Sequence, residues 1–269
     1  YLGMSPGVDF ESRLFAKPNA AALLAKELSA PGYVPKVIAM GTNTDPYQPT
    51  ERKLGITRSI LEALQELDHP VCIVTKSALI QRDIDILAAM AKKRLATVSL
   101  SVTTLDRSLA RRLEPRAATP ERRLETIRAL ADSGIPTGVL AAPMIPALND
   151  AELENILAAC REAGATTAGY VALRLPHELK TLFREWLETH VPGKAKHVMS
   201  LVTEMHGGKE YDAQWGRRQT GTGRYAEVLR IRFELACKRL GFRHRGTIGK
   251  LDTTLFRKPT RPGEQLSLL

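Results

Sequence analysis

The sequence predicts an α/β fold with parallel strands, and three observations carry that prediction. Five short runs rich in β-branched and aliphatic residues fall between positions 36 and 174. Longer stretches with apolar residues near i, i+3 and i+4 separate them. Polar turns bearing Gly, Pro, Ser or Thr follow several of the runs. Strand–helix–strand repeats imply parallel strands joined by right-handed crossovers. Five in succession make an open doubly wound sheet or part of a (β/α) barrel, and both put their working loops at the carboxyl ends of the strands.

In chain order, strands are expected at 36–40, 71–75, 96–102, 137–142 and 167–174, and helices at 51–67, 79–94, 119–133 and 150–163. In the last helix Leu153, Ile156, Leu157 and Cys160 form the apolar stripe, Asn149 or Asp150 can cap its start, and Gly164 can end it. Thr119-Pro120-Glu121 opens the preceding helix in the same way, with Gly134 closing it. From Pro176 the alternation stops, and helices are expected at 177–190, 194–205 and 223–240. This divides the chain into a strand-bearing body at 1–175, a helical extension at 176–256, and a mobile tail at 257–269 with Pro259, Pro262 and Gly263.

Composition narrows the classes. The 269 residues are 43% hydrophobic and 25% charged, ordinary for a globular protein. No apolar run approaches the ~20 residues that span a bilayer. Tyr1-Leu2-Gly3-Met4-Ser5-Pro6 lacks the basic start and apolar stretch of a secretion signal, so a cytoplasmic home is the default. A chain starting at Tyr1 reads as a fragment or trimmed product. Cys72, Cys160 and Cys237 lie far apart and each sits in an apolar pattern, which points to buried thiols and away from a disulfide framework. The net charge of +10 is uneven: residues 205–261 hold 14 Lys and Arg against 5 Asp and Glu. Such a basic segment is an electrostatic footprint for nucleic acid, with Arg217, Arg218, Arg224, Arg243 and Arg245 as first candidates to meet it.

The strand ends carry the chemistry. After the first comes a polar turn, Gly41-Thr42-Asn43-Thr44-Asp45, suited to an ammonium or hydroxyl group. Lys76 follows the second strand, where a fixed cation can meet a carboxylate or phosphate. Ser99 and Ser101 share one face of the third strand because side chains alternate with period two, and Thr103 and Thr104 follow. The fourth ends in Ala141-Ala142-Pro143-Met144, an apolar wall suited to a flat base. Together these describe a pocket for a zwitterionic nucleoside.

Thr44-Asp45, Val74-Thr75-Lys76, Ser99-Leu100-Ser101-Val102, Leu113-Glu114-Pro115 and Ala142-Pro143, in this order and spacing, resemble the radical S-adenosylmethionine (SAM) superfamily, and within it the spore-photoproduct-lyase-like branch. Trp215-Gly216-Arg217-Arg218 with the segment from Gly221 to Glu227 is similar to a narrower bacterial subgroup labelled DNA-repair-photolyase-like. The resemblance implies a partial (β/α) barrel and a SAM- and [4Fe–4S]-dependent enzyme whose 5′-deoxyadenosyl radical abstracts a hydrogen from substrate. It assigns Thr44 to the methionyl group, Lys76 to its carboxylate, Ser99 and Ser101 to the pocket with Ser101 on the ribose, and the Ala142 backbone to the adenine. Glu114 and Arg116 would order the rim or bind substrate.

Two departures qualify the likeness. The family holds its cluster with a CxxxCxxC loop after the first barrel strand, and no such motif occurs here. The first strand and its loop are therefore expected upstream of Tyr1, and this chain alone is expected to be inactive. Spore photoproduct lyase also uses a hydrogen-donating cysteine where this sequence has Thr42, whose O–H bond is far too strong for that role. True photoproduct repair is not expected. Two rival readings stand beside this one: a Schiff-base lyase using Lys76, and a non-catalytic nucleic-acid module. Finally, Gln265, Leu266, Leu268 and Leu269 resemble the Gln-Leu-x-Leu-Phe peptide that docks on the bacterial replication sliding clamp.

Overall fold

The computed structural model describes residues 14–211, 213–214, 217–243 and 251–259. Its centre is a five-stranded, all-parallel sheet with spatial order β1-β2-β3-β4-β5, where β1 is Ile38–Met40, β2 Val71–Thr75, β3 Ala96–Val102, β4 Thr137–Met144 and β5 Thr167–Ala172. That sequential order decides between the two architectures. A doubly wound sheet reverses strand order at a switch point, whereas unbroken 1-to-5 order with crossovers of one hand puts every helix on one face. The sheet is a segment of a (β/α) barrel, with one concave face left to other uses.

Register shows which side chains share that face. Val74, Ser99, Gly138 and Thr167 form one row across β2–β5, and Ser101, Leu140 and Gly169 lie in the next row toward the strand ends. Their neighbours Ile73, Val98, Leu100, Val139 and Ala141 point the other way and are buried under the helices. Before β1 stands α1 (Ala20–Leu28), which has no counterpart among the expected elements.

The expected helix over 51–67 is two helices, α2 (Glu51–Leu54) and α3 (Ile56–Glu66), split at Gly55 with φ 61°. The region 79–94 begins as a 3-10 turn, Ala78–Asp83, before α4 (Ile84–Lys92). A short helix absent from the expected set, α5 (Arg107–Leu113), follows β3. Asp106 caps it by accepting from the Ser108 and Leu109 backbone N–H groups at 2.7 and 3.2 Å. Next, α6 (Pro120–Asp132) starts as expected, with Thr119 Oγ1 accepting from Arg122 N and Pro120 in the first turn. The cap expected at 149–150 is corrected: a 3-10 turn, Asp150–Glu152, precedes α7 (Leu153–Glu162), and the Asn149 side chain caps nothing. It serves the end of β4 instead, through bonds given with the site below.

The helical extension forms α8 (Leu179–His190), α9 (Pro192–Met205) and α10 (Gly223–Leu240). The α8–α9 hairpin sits over the carboxyl end of the sheet, where Leu187, Val198 and Val202 form a second core with Ile145, Leu173 and Leu175. Trp186 Nε1 donates to the Arg112 carbonyl at 3.0 Å and fastens the hairpin to α5. Helix α10 packs on α7, and the chain then returns to the sheet: Arg243 bridges Thr167 in parallel, and its N–H meets the Thr166 carbonyl at 2.9 Å. Also at the amino end of the strands, Arg257, inside the segment expected as a tail, pairs with Asp68 at 2.6 Å and bonds the Leu67 carbonyl. Residues 260–269, with the clamp-like motif, lie outside the described residues, as do Arg245, Trp215 and Gly216.

Candidate functional site at the strand ends

Two turns converge where β1 and β2 end. Gly41 has φ 88°, and a β-carbon there would lie 1.8 Å from the Val74 carbonyl oxygen, so only glycine lets this turn pass so close to β2. Beyond it, Asp45 acts as a staple. Its Oδ1 accepts from Tyr47 N at 2.9 Å and Thr75 Oγ1 at 2.7 Å, and its Oδ2 accepts from Lys76 N at 2.8 Å. Thr44, the adjacent sequence-predicted residue, is exposed on this loop.

The staple fixes the backbone of Lys76, and a second carboxylate fixes its ammonium. Glu114, just past α5, receives Lys76 Nζ on Oε1. On Oε2 it receives Arg123 Nη2 at 2.6 Å, with the Thr103 hydroxyl 3.0 Å away. Arg123 is 2% exposed and each of its three nitrogens has a partner: Nε donates to the Ala118 carbonyl and Nη1 to the Ser101 carbonyl, both at 2.9 Å. Burial alone would raise the Glu114 carboxyl, but the Arg123 guanidinium and the Lys76 ammonium outweigh it and hold it below the ordinary carboxylate range. Two cations and one anion leave this cluster with one net positive charge. Lys76, with 42% of its side chain exposed, presents that charge at the open end.

The ends of β3 and β4 are tied to this cluster by hydroxyls. Ser101 Oγ donates to the Ala142 carbonyl at 3.1 Å, and the Thr103 hydroxyl lies 2.8 Å from the same oxygen. The single Thr103 proton serves Ala142 or Glu114 at any moment. A cis peptide joins Ala142 to Pro143. Asn149 holds the far side: its Nδ2 donates to the carbonyls of Thr103 and Pro143 at 2.7 and 2.9 Å, while Oδ1 accepts from Ile145 N at 2.7 Å. So the structure joins Lys76, Glu114, Ser101 and Ala142, all singled out in the sequence, into one polar chain. Ser101 is buried and engaged with Ala142, whereas Ser99 is half-buried on the concave face one row below. Arg116 is exposed on the loop beyond Glu114.

Arg123 is missing from the sequence-predicted set. A signal for it exists: on the α6 pattern it shares a face with Ile127 and Leu130, and a charged residue on an apolar face has to be paired. Beside Ser99 the concave face is closely packed at Gly138, where a β-carbon would lie 2.4 Å from Thr167 Oγ1 and 3.1 Å from Ser99 Oγ, so those two hydroxyls already fill the space a side chain would take.

The three thiols do not make a cluster site. Cys160 is buried, Cys72 and Cys237 are half-buried, and each lies on a different element. Burial pushes the Cys160 thiol up to about 12 and Cys237, with help from Glu234, up to about 11, and it raises Cys72. Thiolates are thereby disfavoured. No group of three or more His, Cys, Asp and Glu among the described residues is placed to hold a metal. The residues present therefore do not fit a [4Fe–4S] cluster. No helix among them is long and apolar enough to cross a membrane.

The basic region at 205–261 is partly spent on internal pairs. Arg230 bridges Glu227 and Glu234, Arg232 bridges Glu154, and Arg257 takes Asp68. Arg217, Arg224 and Arg243 are exposed.

Comparison with known proteins bears on these residues. A family model described as the radical SAM superfamily matches residues 12–160. The chain is 35% identical over 189 residues to uncharacterized proteins of Mycobacterium tuberculosis and Mycobacterium bovis, covering 70% of this chain and 56% of theirs. It is 30% identical over 115 residues to an uncharacterized protein of Methanocaldococcus jannaschii, covering 43% of each. The chain thus spans about half the length of these curated relatives. Among solved structures it is similar to spore photoproduct lyase, with a TM-score of 0.52 and 15% identity over 82% of this chain and 64% of that one. A variant of that enzyme with bound AdoMet and dinucleoside spore photoproduct aligns equally well. At such identity the likeness is one of fold.

Proposed function

Because the chain belongs to the radical SAM superfamily, we propose that it is the barrel body of a SAM-dependent radical enzyme and that SAM lies across the carboxyl ends of β1–β4. The observation that carries this reading is the placement of Lys76, a half-exposed ammonium fixed by Glu114 at the end of β2 in a cluster of net positive charge. SAM, when bound and given one electron from a reductant held outside these residues, would supply hydrogen-atom abstraction chemistry at the substrate.

The chain's own residues do the binding and orienting. Lys76 meets the methionyl carboxylate, and the exposed Thr44 stands on the neighbouring loop for the rest of the amino-acid end. Ser99 offers a hydroxyl on the concave face toward the nucleoside. Ser101 and the Ala142 carbonyl, bonded to each other, shape the wall above. The α8–α9 hairpin packs on the segments after β4 and β5 and would exclude water on that side of the site. Cluster ligands have to come from outside these 269 residues, and this chain alone is inactive. The substrate class favoured by the charge distribution is nucleic acid, with the exposed arginines of 205–261 contributing to its capture.

The Schiff-base reading loses ground on one observation: Lys76 stands in an ion pair with Glu114, and the pair has to break before the amine can attack a carbonyl. The test is direct. Full-length protein, purified without oxygen and reduced, is expected to convert SAM to 5′-deoxyadenosine. A borohydride-trapped adduct on Lys76, with no SAM turnover, would establish the lyase instead.

A further inference from the structure

Outside the concave face, a cavity of about 1030 Å³ opens on the outer rim of the strand ends, between the loop after β1, the turn after β2 and the loop joining α5 to α6. Lys76 and Glu114 stand in its wall, but Ser99, Ser101 and Ala142 do not line it, so it is a neighbour of the proposed SAM site and not the site itself. Five cations line it, Arg52, Lys76, Arg82, Arg116 and Arg122, against two acids, Asp45 and Glu114.

Both acids are already committed. Asp45 uses both oxygens on Tyr47 N, Thr75 Oγ1 and Lys76 N, and Glu114 uses both on Lys76, Arg123 and Thr103. Among the cations, Arg82 is spent on Glu51 and Asp83 at 3.0 and 2.9 Å. Arg52 and Arg116 are exposed, and Arg122 faces Glu125 in a pair with 56% and 55% of the two side chains exposed, which water screens. The outer rim therefore carries three exposed arginines, one on α2 and two on the α5–α6 connection and the first turn of α6, in a cavity whose lining has an excess of positive charge.

We infer that this rim is a docking groove for the phosphodiester backbone of a nucleic-acid strand, held by Arg52, Arg116 and Arg122 and leading past Lys76 to the reactive end of the barrel. Cations spread along the rim suit successive phosphates better than one isolated anion. Guanidinium groups are the side chains best matched to phosphate oxygens. The one aromatic residue in the wall, Tyr47, is 1% exposed, so no ring is offered for stacking a base. That points to backbone binding with little sequence preference. The groove gains its catalytic meaning from the SAM reading, but strand binding is measured without SAM, so the two claims fail independently.

The experiment is fluorescence anisotropy with a labelled mixed-sequence oligonucleotide, single- and double-stranded, titrated with the protein over a series of salt concentrations. Compared are the wild type, Arg52→Ala/Arg116→Ala/Arg122→Ala, each single substitution, and Arg217→Ala/Arg224→Ala. The rim variant is expected to bind about tenfold or more weakly with a log–log salt slope lower by about 3, one for each phosphate no longer neutralised. Each single change should take a share, whatever the Arg217/Arg224 variant does. Undiminished binding by the rim variant would overturn the proposal. So would the absence of saturable oligonucleotide binding, or a nucleoside monophosphate that competes as well as the strand.

Discussion

Arg123 and Glu114 form a nearly dry ion pair, 2.6 Å between Nη2 and Oε2 with 3% and 12% of the side chains exposed, and that pair holds Lys76 at the mouth of the barrel. Removing one partner strands the other charge in a site built for two. Arg123→Ala is therefore expected to cost about 3–5 kcal/mol in urea unfolding. The double change with Glu114→Gln should cost less than the sum of the singles, because the stranded charge is gone. Strictly additive losses would show that the two side chains are not energetically coupled.

The same pair gives the stability a pH dependence of definite sign. The folded Glu114 carboxyl lies below the ordinary glutamate value, so the unfolded chain takes up the proton first as pH falls. Its contribution is complete above the unfolded value and drains away as pH drops through the folded one. Wild-type unfolding free energy should fall on acidification below about pH 5 more steeply than that of Glu114→Gln. Parallel curves for the two proteins would contradict the assignment.

On the concave face, the close packing at Gly138 is open to a simple test. A methyl group at 138 meets Thr167 Oγ1 at 2.4 Å and Ser99 Oγ at 3.1 Å. Gly138→Ala is expected to destabilise the fold by about 1–3 kcal/mol, the usual cost of overpacking. Adding Thr167→Ala should recover part of it, as thermal unfolding would report. No recovery would mean that the strain lies in the backbone and not against the threonine.

Much of this is legible in the sequence, and the reason is periodicity. The strands at 71–75 and 96–102 and the helix at 223–240 coincide with their patterns because alternation and the 3.6-residue repeat are unbroken there. The break at Gly55 escapes such a reading because one left-handed residue inside an amphipathic stretch leaves the apolar period intact. Asn149 reads as a cap because its type and position fit one. Its real partners, Thr103, Pro143 and Ile145, include a strand end 46 residues away that no local pattern shows. Likewise Lys76 stands at a strand end as expected, but its tie to Glu114, 38 residues on, comes only from the βα-unit bringing the two turns together. Strand order, which separates a barrel segment from a doubly wound sheet, is a tertiary fact and emerges only with the pairing.

The clamp-like tail is tested apart from the body. A labelled peptide of residues 261–269 is expected to bind a bacterial sliding clamp with an affinity near micromolar, about −8 kcal/mol. Leu266→Ala/Leu268→Ala should abolish binding and Leu269→Phe should tighten it, since an aromatic ring buries more surface. Binding that survives the double alanine change would dismiss the motif.

The central claim is that Lys76 is the carboxylate anchor for SAM, and SAM affinity tests it most directly. Calorimetric titration of the full-length protein should give a Lys76→Ala variant that binds SAM more weakly by about 2 kcal/mol. That is the low end for a broken charge pair, because the lysine side chain is 42% exposed. Ser99→Ala should lose about 1 kcal/mol, as for one neutral hydrogen bond. A Lys76→Ala protein that folds normally and binds SAM with wild-type affinity would contradict the placement of SAM at the strand ends.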